Sequence, residues 1–345
     1  MSFKLMKRLF LVIVLILSVF SFALYHKIYI AKPDFSHETV FIIEEGESVR
    51  TISERLYATH LVTNAQLLRK YIAWKKLDRA ITHGSIRIDH AMTIAELAQT
   101  LTNTKTREER TVTIIPGSTL RDIAANFQKE GIATADEVYA LLGTPAQFQK
   151  PEYVIDSGAF LFKGKPETVS LEGYLAPETF SVFANATLDD VVEKFIRERE
   201  EQINALKEDI EKTGLSVHEV LTIASVIEKE VRSEEDRKMV ADLFFRRLKA
   251  GWALQTDSSV HYVVGTPDSV FTSAEDRATD SLWNTYKYPG LPPGPIAIPS
   301  ISSINAVLHP TPNNYWFFLT TLDTGKVIYS KTVDEHTANV YKYLR

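Results

Sequence analysis

The sequence predicts an α+β chain with a single N-terminal transmembrane helix, then small α/β modules, then a mixed α+β domain. Three observations support this fold class. An uncharged apolar run lies near the start of the chain, a strand–helix–helix pattern occurs twice, and helical and strand periodicities are mixed in the rest. The chain has 345 residues, so about two domains of ordinary size are expected.

The apolar run extends from Leu9 to Tyr25, 17 residues without a charge. At about 1.5 Å of rise per residue, a helix of this length is just long enough to cross a bilayer. Three basic residues precede it: Lys4, Lys7 and Arg8. This positive flank predicts a cytoplasmic N-terminus, with the rest of the chain outside.

A cleaved signal peptide is the competing interpretation, because Ser21-Phe22-Ala23 has the small residues of a processing site. An uncleaved anchor is favoured, since the apolar run continues through that site without a polar segment. The expected segments are therefore a cytoplasmic tail at 1–8 and a transmembrane anchor at 9–25. Both interpretations export the rest of the chain, and the anchor predicts a single-pass protein of the inner (plasma) membrane.

Composition excludes several classes of function. The chain has no cysteine, which excludes disulfide scaffolds, cysteine-ligated zinc, iron–sulfur clusters and a thiol nucleophile. With 39 Lys+Arg against 44 Asp+Glu, a net charge of -5 and no long basic run, a nucleic-acid partner is not expected. No His-Glu-x-x-His occurs and the nine histidines show no ligand spacing, so a metalloenzyme is not expected. No Gly-x-Ser-x-Gly elbow occurs, which disfavours a serine hydrolase, and with no nucleotide-binding loop no cofactor is expected.

A repeat appears when the chain is aligned with itself at an offset of 71 positions. Three residue pairs carry it without gaps: Gly46 with Gly117, Arg50 with Arg121, and Ile52 with Ile123. Each copy predicts a short strand, a glycine turn, a helix capped by Ser48 or Ser118, and a second helix. Two copies are too few for a solenoid, so the repeat indicates either duplication for packing or small recognition modules.

Four further features follow from local patterns. Ser85 to Ile88 alternates as a strand and precedes a helix from Thr93 to Leu101. A charged helix with one apolar stripe is predicted from Leu188 to Lys212. Near the C-terminus, Tyr315–Leu319 and Val327–Tyr329 predict a β-hairpin.

The most informative segment is a helix that starts after Ser216. Ser216 and Glu219 form a capping-box pattern, and the apolar residues that follow cover well over half of the helical wheel, which predicts a buried helix. Its last turn nevertheless carries Glu228 and Glu230, with Lys229 towards solvent. A carboxylate at the end of a buried helix is where desolvation raises the pKa, as a general acid requires. Surface ion pairing with nearby basic residues is the alternative, and the wheel does not choose between the two glutamates.

Downstream lie two polar clusters, Leu254–Asp257 and Trp283–Tyr286, and a rigid loop from Gly290 to Pro299. The candidate binding residues in the clusters are Gln255, Asp257, Asn284 and Tyr286. Amide-rich and aromatic loops suit a groove that holds a sugar chain, and they equally suit structural corners.

These residues match a known family. Four motifs in this order resemble the endolytic murein transglycosylases of the YceG-like family: Ala224–Glu230, Leu254–Asp257, Asn284–Tyr286 and Gly290–Ile296. The resemblance covers nearly the whole chain, including the preceding anchor. It implies a LysM-like module at 37–104, a second repeat-like α/β segment at 109–172 and a catalytic domain at 173–345.

The resemblance also implies an activity. It is the non-hydrolytic cleavage of the β-1,4 bond between N-acetylmuramic acid (MurNAc) and N-acetylglucosamine (GlcNAc) inside nascent peptidoglycan strands, leaving 1,6-anhydro-MurNAc ends. The family's catalytic acid falls on Glu230, and Glu228 would support it. Gln255, Asp257, Asn284 and Tyr286 would grip the sugars, and no cofactor is needed. The expected partners are peptidoglycan strands and cell-wall synthesis enzymes.

Two alternatives stay open. The chain could be a non-catalytic, membrane-anchored peptidoglycan-binding scaffold for wall-synthesis enzymes. It could also be a lysozyme-type muramidase, which would need a second carboxylate and would use water as the nucleophile.

Overall fold

The computed structural model describes residues 3–35, 39–44, 46–103, 109–156, 158–265 and 272–344. Two compact units account for them: residues 1–111 with 181–186, and residues 112–180 with 187–345. The model is a mixed α+β structure with one N-terminal apolar helix. The end residues 37 and 104 of the predicted LysM-like module lie outside the described residues.

The apolar run forms a helix that is longer than predicted. Helix α1 spans Phe3–Tyr29. Within the described part of the chain, it provides the one helix that is long and apolar enough to cross a membrane, over Phe10–Tyr29. Most of its apolar side chains from Phe10 to Tyr29 are exposed, Phe10 at 66% and Phe22 at 67%, unlike those of a helix in a soluble core. This helix is compatible with a single-pass anchor.

The first unit continues with two strands and three helices, all formed by described residues. In chain order they are β1 (Thr39–Ile43), α2 (Val49–Ala58), α3 (Ala65–Lys75), β2 (Gly84–Ile88) and α4 (Ile94–Thr102). Strands β1 and β2 pair antiparallel, with Phe41 opposite Ile86. Both residues are buried with Ile52 and Leu56 of α2 and Leu97 of α4, which gives this unit its apolar core.

The second copy of the repeat has the same order of elements. Strand β3 (Glu109–Thr113) is followed by helices α5 (Leu120–Lys129) and α6 (Ala135–Leu142), and β3 neighbours strand β4 (Thr179–Phe183). In both copies the turn glycine has a positive φ, 72° at Gly46 and 80° at Gly117.

The predicted cap of the second copy was wrong by one residue. Ser48 caps α2 as predicted, but Thr119 caps α5, where its side chain accepts a hydrogen bond from the amide of Asp122. Thr119 is the residue 71 positions after Ser48, so the structure keeps the repeat register. Asp122 completes a capping box with Thr119, and this reciprocal pairing selects threonine over Ser118.

The remaining elements belong to the second unit. They are α7 (Leu188–Ala205), α8 (Lys207–Thr213), α9 (Val217–Glu230), α10 (Glu234–Lys249), α11 (Asp257–Val264), α12 (Ala274–Ala278), α13 (Ile301–Leu308), β5 (Phe317–Thr320), β6 (Val327–Ser330) and α14 (Val333–Tyr343). The predicted C-terminal hairpin is confirmed, since β5 and β6 pair antiparallel. The predicted single helix from Leu188 to Lys212 is wrong, because the backbone leaves helical geometry at Leu206.

Candidate active site

Helix α9 brings the two candidate acids to the end of a buried element. Ser216 and Glu219 form the predicted capping box, and every residue from Val217 to Ile227 except Glu219 is buried. The helix ends at Glu230 because Val231 adopts an extended conformation. The last turn therefore carries Glu228 and Glu230 out of a low-dielectric core, which is the arrangement that the sequence predicts.

The carboxylate of Glu228 is turned inward and held by several donors. Its Oε1 accepts a hydrogen bond from Arg237 at 2.9 Å. Its Oε2 accepts from the amide and hydroxyl of Ser300 at 2.9 and 2.5 Å and from the Ser303 hydroxyl at 2.7 Å. Ser300 is the N-cap of α13, where a negative charge is favoured by the helix dipole. Glu228 thus ties α9 to α10 and α13.

The carboxyl of Glu230 has a different environment. Its Oε1 accepts one hydrogen bond, at 2.5 Å from the hydroxyl of Ser258 in the first turn of α11, and the residue keeps partial exposure to solvent. Burial, assisted by the nearby negative charge of Asp257, raises the pKa of Glu230 to about 6. Such a carboxyl can hold a proton in mildly acidic solution and give it to a partner in the site.

Asp257 lies beside Glu230 and is oriented by three side chains. Its Oδ1 accepts hydrogen bonds from Thr272 at 2.6 Å and Tyr286 at 2.9 Å, and Arg277 lies 3.6 Å away. The Arg277 guanidinium also sits 4.9 Å from the centre of the Tyr286 ring. Burial and the negative charge of Asp257 raise the pKa of Tyr286, so the phenol stays protonated. Asp257 and Tyr286, predicted from separate motifs, are therefore brought together.

Gln255 precedes this cluster and is exposed. Its φ of 52° is in the left-handed region, which is unfavourable for a residue with a side chain. Two hydrogen bonds hold the strained backbone in place. The backbone amide of Gln255 donates to the carbonyl of Thr285 at 3.1 Å, and the backbone amide of Thr256 donates to the Thr285 hydroxyl. The amide side chain of Gln255 is thus presented to solvent next to Asp257.

Asn284 is fully buried, in contrast to Gln255. Its amide nitrogen donates to the carbonyls of Arg277 at 3.0 Å and Thr279 at 2.8 Å, and its Oδ1 accepts from the amide of Tyr286 at 3.1 Å. The side chain therefore links the segments that carry Arg277 and Tyr286, and its polar atoms are directed into the protein.

Sequence reasoning missed Ser258 and Arg247. Ser258 gives no distinctive signal, because a serine after an aspartate is common at a helix start. Arg247 does leave a signal, since it continues the buried stripe of Val240 and Phe244 on α10 at helical spacing. Its guanidinium donates to the carbonyls of Leu254 and Trp316, and its charge opposes the upward shift in the pKa of Glu230.

Glu172 is a third residue that sequence reasoning missed. It is fully buried, accepts a hydrogen bond from the amide of Leu120 at 2.8 Å, and accepts another from the hydroxyl of Tyr262 at 3.1 Å. Burial raises its pKa to about 8. It connects the start of α5 to α11, the helix whose first turn holds Asp257 and Ser258. An acid inside the apolar run Leu171–Leu175 was the available signal.

Within the ranges that the structure describes, no group of three or more His, Cys, Asp or Glu side chains is arranged to hold a metal ion. The described side chains of the site supply a carboxyl with a raised pKa, a second carboxylate, and surrounding hydroxyl and guanidinium donors.

The chain is similar to several known proteins. The sequence profile of the YceG-like family matches residues 41–342. An endolytic murein transglycosylase of Bacillus subtilis is 31% identical over 315 residues, which cover 88% of this chain and 84% of that protein. One from Streptococcus pneumoniae is 29% identical over 88% of this chain, which spans 58% of that longer protein.

A solved structure is also similar. The crystal structure of a putative YceG-like protein from Listeria monocytogenes superposes with a TM-score of 0.58 at 31% identity, covering 88% of this chain and all of that one. The chain belongs to the YceG-like family, because the family profile, the similar relatives and the similar solved structure agree.

Proposed function

We propose that this protein is an endolytic lytic transglycosylase that cleaves the β-1,4 bond between MurNAc and GlcNAc inside peptidoglycan strands. The observation that carries the proposal is the carboxyl of Glu230. It lies at the end of a buried helix, is partly exposed, and has a pKa of about 6. The endolytic murein transglycosylases to which the chain is similar give the substrate class.

In the first step, the protonated Glu230 carboxyl gives its proton to the glycosidic oxygen. The bond between C1 of MurNAc and that oxygen breaks, and GlcNAc leaves with a free hydroxyl. In the second step, the Glu230 carboxylate takes the proton of the MurNAc O6 hydroxyl while O6 bonds to C1. Glu230 ends protonated, the product is a 1,6-anhydro-MurNAc end, and no water is consumed.

The neighbouring residues support this chemistry. The negative charge of Asp257 stabilises the positive charge that develops at C1, and Tyr286 and Arg277 hold Asp257 in place. The exposed amide of Gln255 hydrogen-bonds an acetamido group of the strand. We assign Asn284 a positioning role, because its polar atoms bond Arg277, Thr279 and Tyr286. Glu228 supports the site by fixing the end of α9.

The remaining assignments are also proposals. Residues 1–8 form a cytoplasmic tail and 9–25 the core of an inner-membrane anchor. Residues 37–104 form a LysM-like module that contacts peptidoglycan, and 109–172 form a second repeat-like segment before the catalytic domain at 173–345. The strand–helix–helix–strand order from β1 to β2 supports the LysM-like assignment. Cell-wall synthesis enzymes are the expected protein partners.

A lysozyme-type muramidase is the second candidate, because Asp257 places another carboxylate beside Glu230. In that mechanism Asp257 attacks C1 or activates water, and the product carries a reducing MurNAc end. The two reactions differ by one molecule of water in the product.

The test is digestion of purified glycan strands by the wild type and by Glu230→Gln. We expect the wild type to release anhydro-ended fragments, and Glu230→Gln to lose at least about a hundredfold in rate, as the removal of a general acid does. Glu235→Gln, an exposed glutamate at the start of α10, is the matched control and should retain full activity. Retained activity in Glu230→Gln would contradict the assignment, and no soluble product from the wild type would favour the scaffold.

A further inference from the structure

A groove of about 410 Å³ lies in the second unit, separate from the Glu230 site. Its described lining comes from α5, the segment after α6, the end of α11 and the segment before Asn284. The residues that matter here are Arg121, Phe148, Val263, Asp280, Leu282 and Trp283.

One side of the groove is apolar and aromatic. The Phe148 ring is 56% exposed and lies 5.0 Å from the ring of the buried Trp283, tilted by 48°. Leu282 beside it is 47% exposed. Exposed apolar side chains that are grouped and bordered by polar residues mark binding surfaces. A flat aromatic ring of this kind packs against the C–H face of a sugar.

The groove also carries charged groups whose positions are fixed. Arg121 donates to the backbone carbonyl of Tyr262 at 2.7 Å, and its guanidinium lies 5.4 Å from the centre of the Tyr262 ring. Asp280 accepts hydrogen bonds from Lys287 at 2.8 Å and Tyr288 at 2.6 Å, which lower its pKa and keep it charged. The groove therefore offers both a donor and an acceptor for the hydroxyl and acetamido groups of a sugar.

Tyr262 holds the walls of the groove from within the protein. It is 4% exposed, its carbonyl accepts from Arg121, and its hydroxyl oxygen accepts from the amide of Ala146 at 3.3 Å. Ala146 has a φ of 57°, so the turn that presents Phe148 is held in a strained conformation. Preorganised walls of this kind reduce the entropy lost on binding.

Two segments connect the groove to the proposed catalytic acid. In its first turn, helix α11 contacts Glu230 through Ser258, and it reaches the groove at Val263, about 7.5 Å further along by α-helical rise. The segment from Trp283 in the groove to Tyr286 beside Asp257 connects the same two places. A strand bound at Glu230 and continuing along α11 would reach the groove within the next sugars.

We propose that this groove is a distal glycan subsite. It would bind an N-acetylated sugar of the same strand, with Phe148 packing against the ring and Arg121 and Asp280 bonding its polar groups. The inference rests on the proposed function. It means that affinity for long strands depends on contacts away from the bond that is cleaved, so long strands are preferred over short fragments.

The test compares the wild type and Phe148→Ala on two substrates: long glycan strands freed of stem peptides, and short fragments that span only the bond cleaved. We expect KM for long strands to rise about threefold to tenfold, the effect of losing one aromatic contact, with kinetics on short fragments unchanged. Phe148→Leu, which keeps much of the apolar volume, should also raise KM for long strands. Tyr341→Ala removes an aromatic side chain of similar exposure, 60%, and is the matched control.

Binding of intact strands to Glu230→Gln and to the double variant Glu230→Gln/Phe148→Ala separates this inference from the proposed function. Weaker binding by the double variant supports the subsite, even if Glu230 is not the catalytic acid. Equal binding by the two variants would overturn the subsite, even if Glu230→Gln is inactive. An effect of Phe148→Ala that appears only when stem peptides are present would overturn the assignment to a sugar and indicate a peptide in the groove.

Discussion

Glu228 and Glu230 show how position within one helical turn separates two roles. Both carboxyls leave the same buried helix, but Glu228 binds Arg237, Ser300 and Ser303, whereas Glu230 accepts a hydrogen bond from Ser258, lies near the negative charge of Asp257 and is partly exposed. Burial and the negative charge of Asp257 raise the pKa of Glu230, as a proton donor requires, and this contrast of environments supports assigning the acid role to it.

The raised pKa of Glu230 predicts a pH dependence. Because the carboxyl must be protonated to act as an acid, kcat/KM should fall about tenfold per pH unit above about 6. Asp257→Asn removes a negative charge that raises this pKa, so the falling limb should move to lower pH. Initial rates of glycan release across the pH range measure both effects. A profile with no decline between pH 6 and 8 would contradict the role of Glu230.

At the scale of elements, the repeat order was predictable because it depends on local patterns. Gly46 and Gly117 meet the need for a positive φ in the turns, and the capping box at Ser216 fixes the start of α9. Two details were not predicted: the cap of α5 at Thr119 and the break between α7 and α8 at Leu206. Their positions depend on single hydrogen bonds and backbone angles. Such details are not encoded in hydrophobic periodicity.

The candidate site was predictable only in part, for a physical reason. The motifs supply Glu230, Asp257 and Tyr286, but their proximity depends on packing between α9, α11 and the segment after Asn284. Ser258 acquires its role from that packing alone. The burial of Asn284 likewise follows from its hydrogen bonds to Arg277 and Thr279, which are set by the fold of the loop.

Glu172 lies at the junction of α5 and α11. Its raised pKa predicts how the free energy of unfolding depends on pH. Its pKa rises from the usual 4.5 to about 8 on folding, so its contribution is fully present below pH 4.5 and is lost as pH rises to 8. The loss should be on the order of a few kcal/mol. Urea unfolding of Glu172→Gln should show a smaller decrease in stability over this range than the wild type does. Parallel curves of unfolding free energy against pH for the two proteins would contradict this effect of Glu172.

At the scale of the whole molecule, helix α1 differs from every other described helix in its long exposed apolar surface. If this helix is an anchor, it keeps the catalytic domain near the membrane, where new glycan strands emerge. The absence of cysteine fits an exported chain that needs neither a thiol nor a disulfide.

The anchor predicts a difference between activity in solution and function in cells. A secreted form that begins after Ala31 should cleave purified strands at a rate close to that of the full chain. In cells it should fail to replace the anchored protein, because it is no longer restricted to nascent wall. Glycan strand lengths in complemented cells measure this, and full complementation by the released form would show that anchoring is dispensable.

We infer that the O6 hydroxyl of the substrate, and not water, attacks C1 after Glu230 donates its proton. Digestion of glycan strands in water enriched in oxygen-18, followed by mass spectrometry of the new ends, tests it most directly. We expect anhydro ends that lack one water and carry no heavy oxygen, and we expect Glu230→Gln to produce none of them. Reducing MurNAc ends labelled with oxygen-18 would contradict it and identify a muramidase.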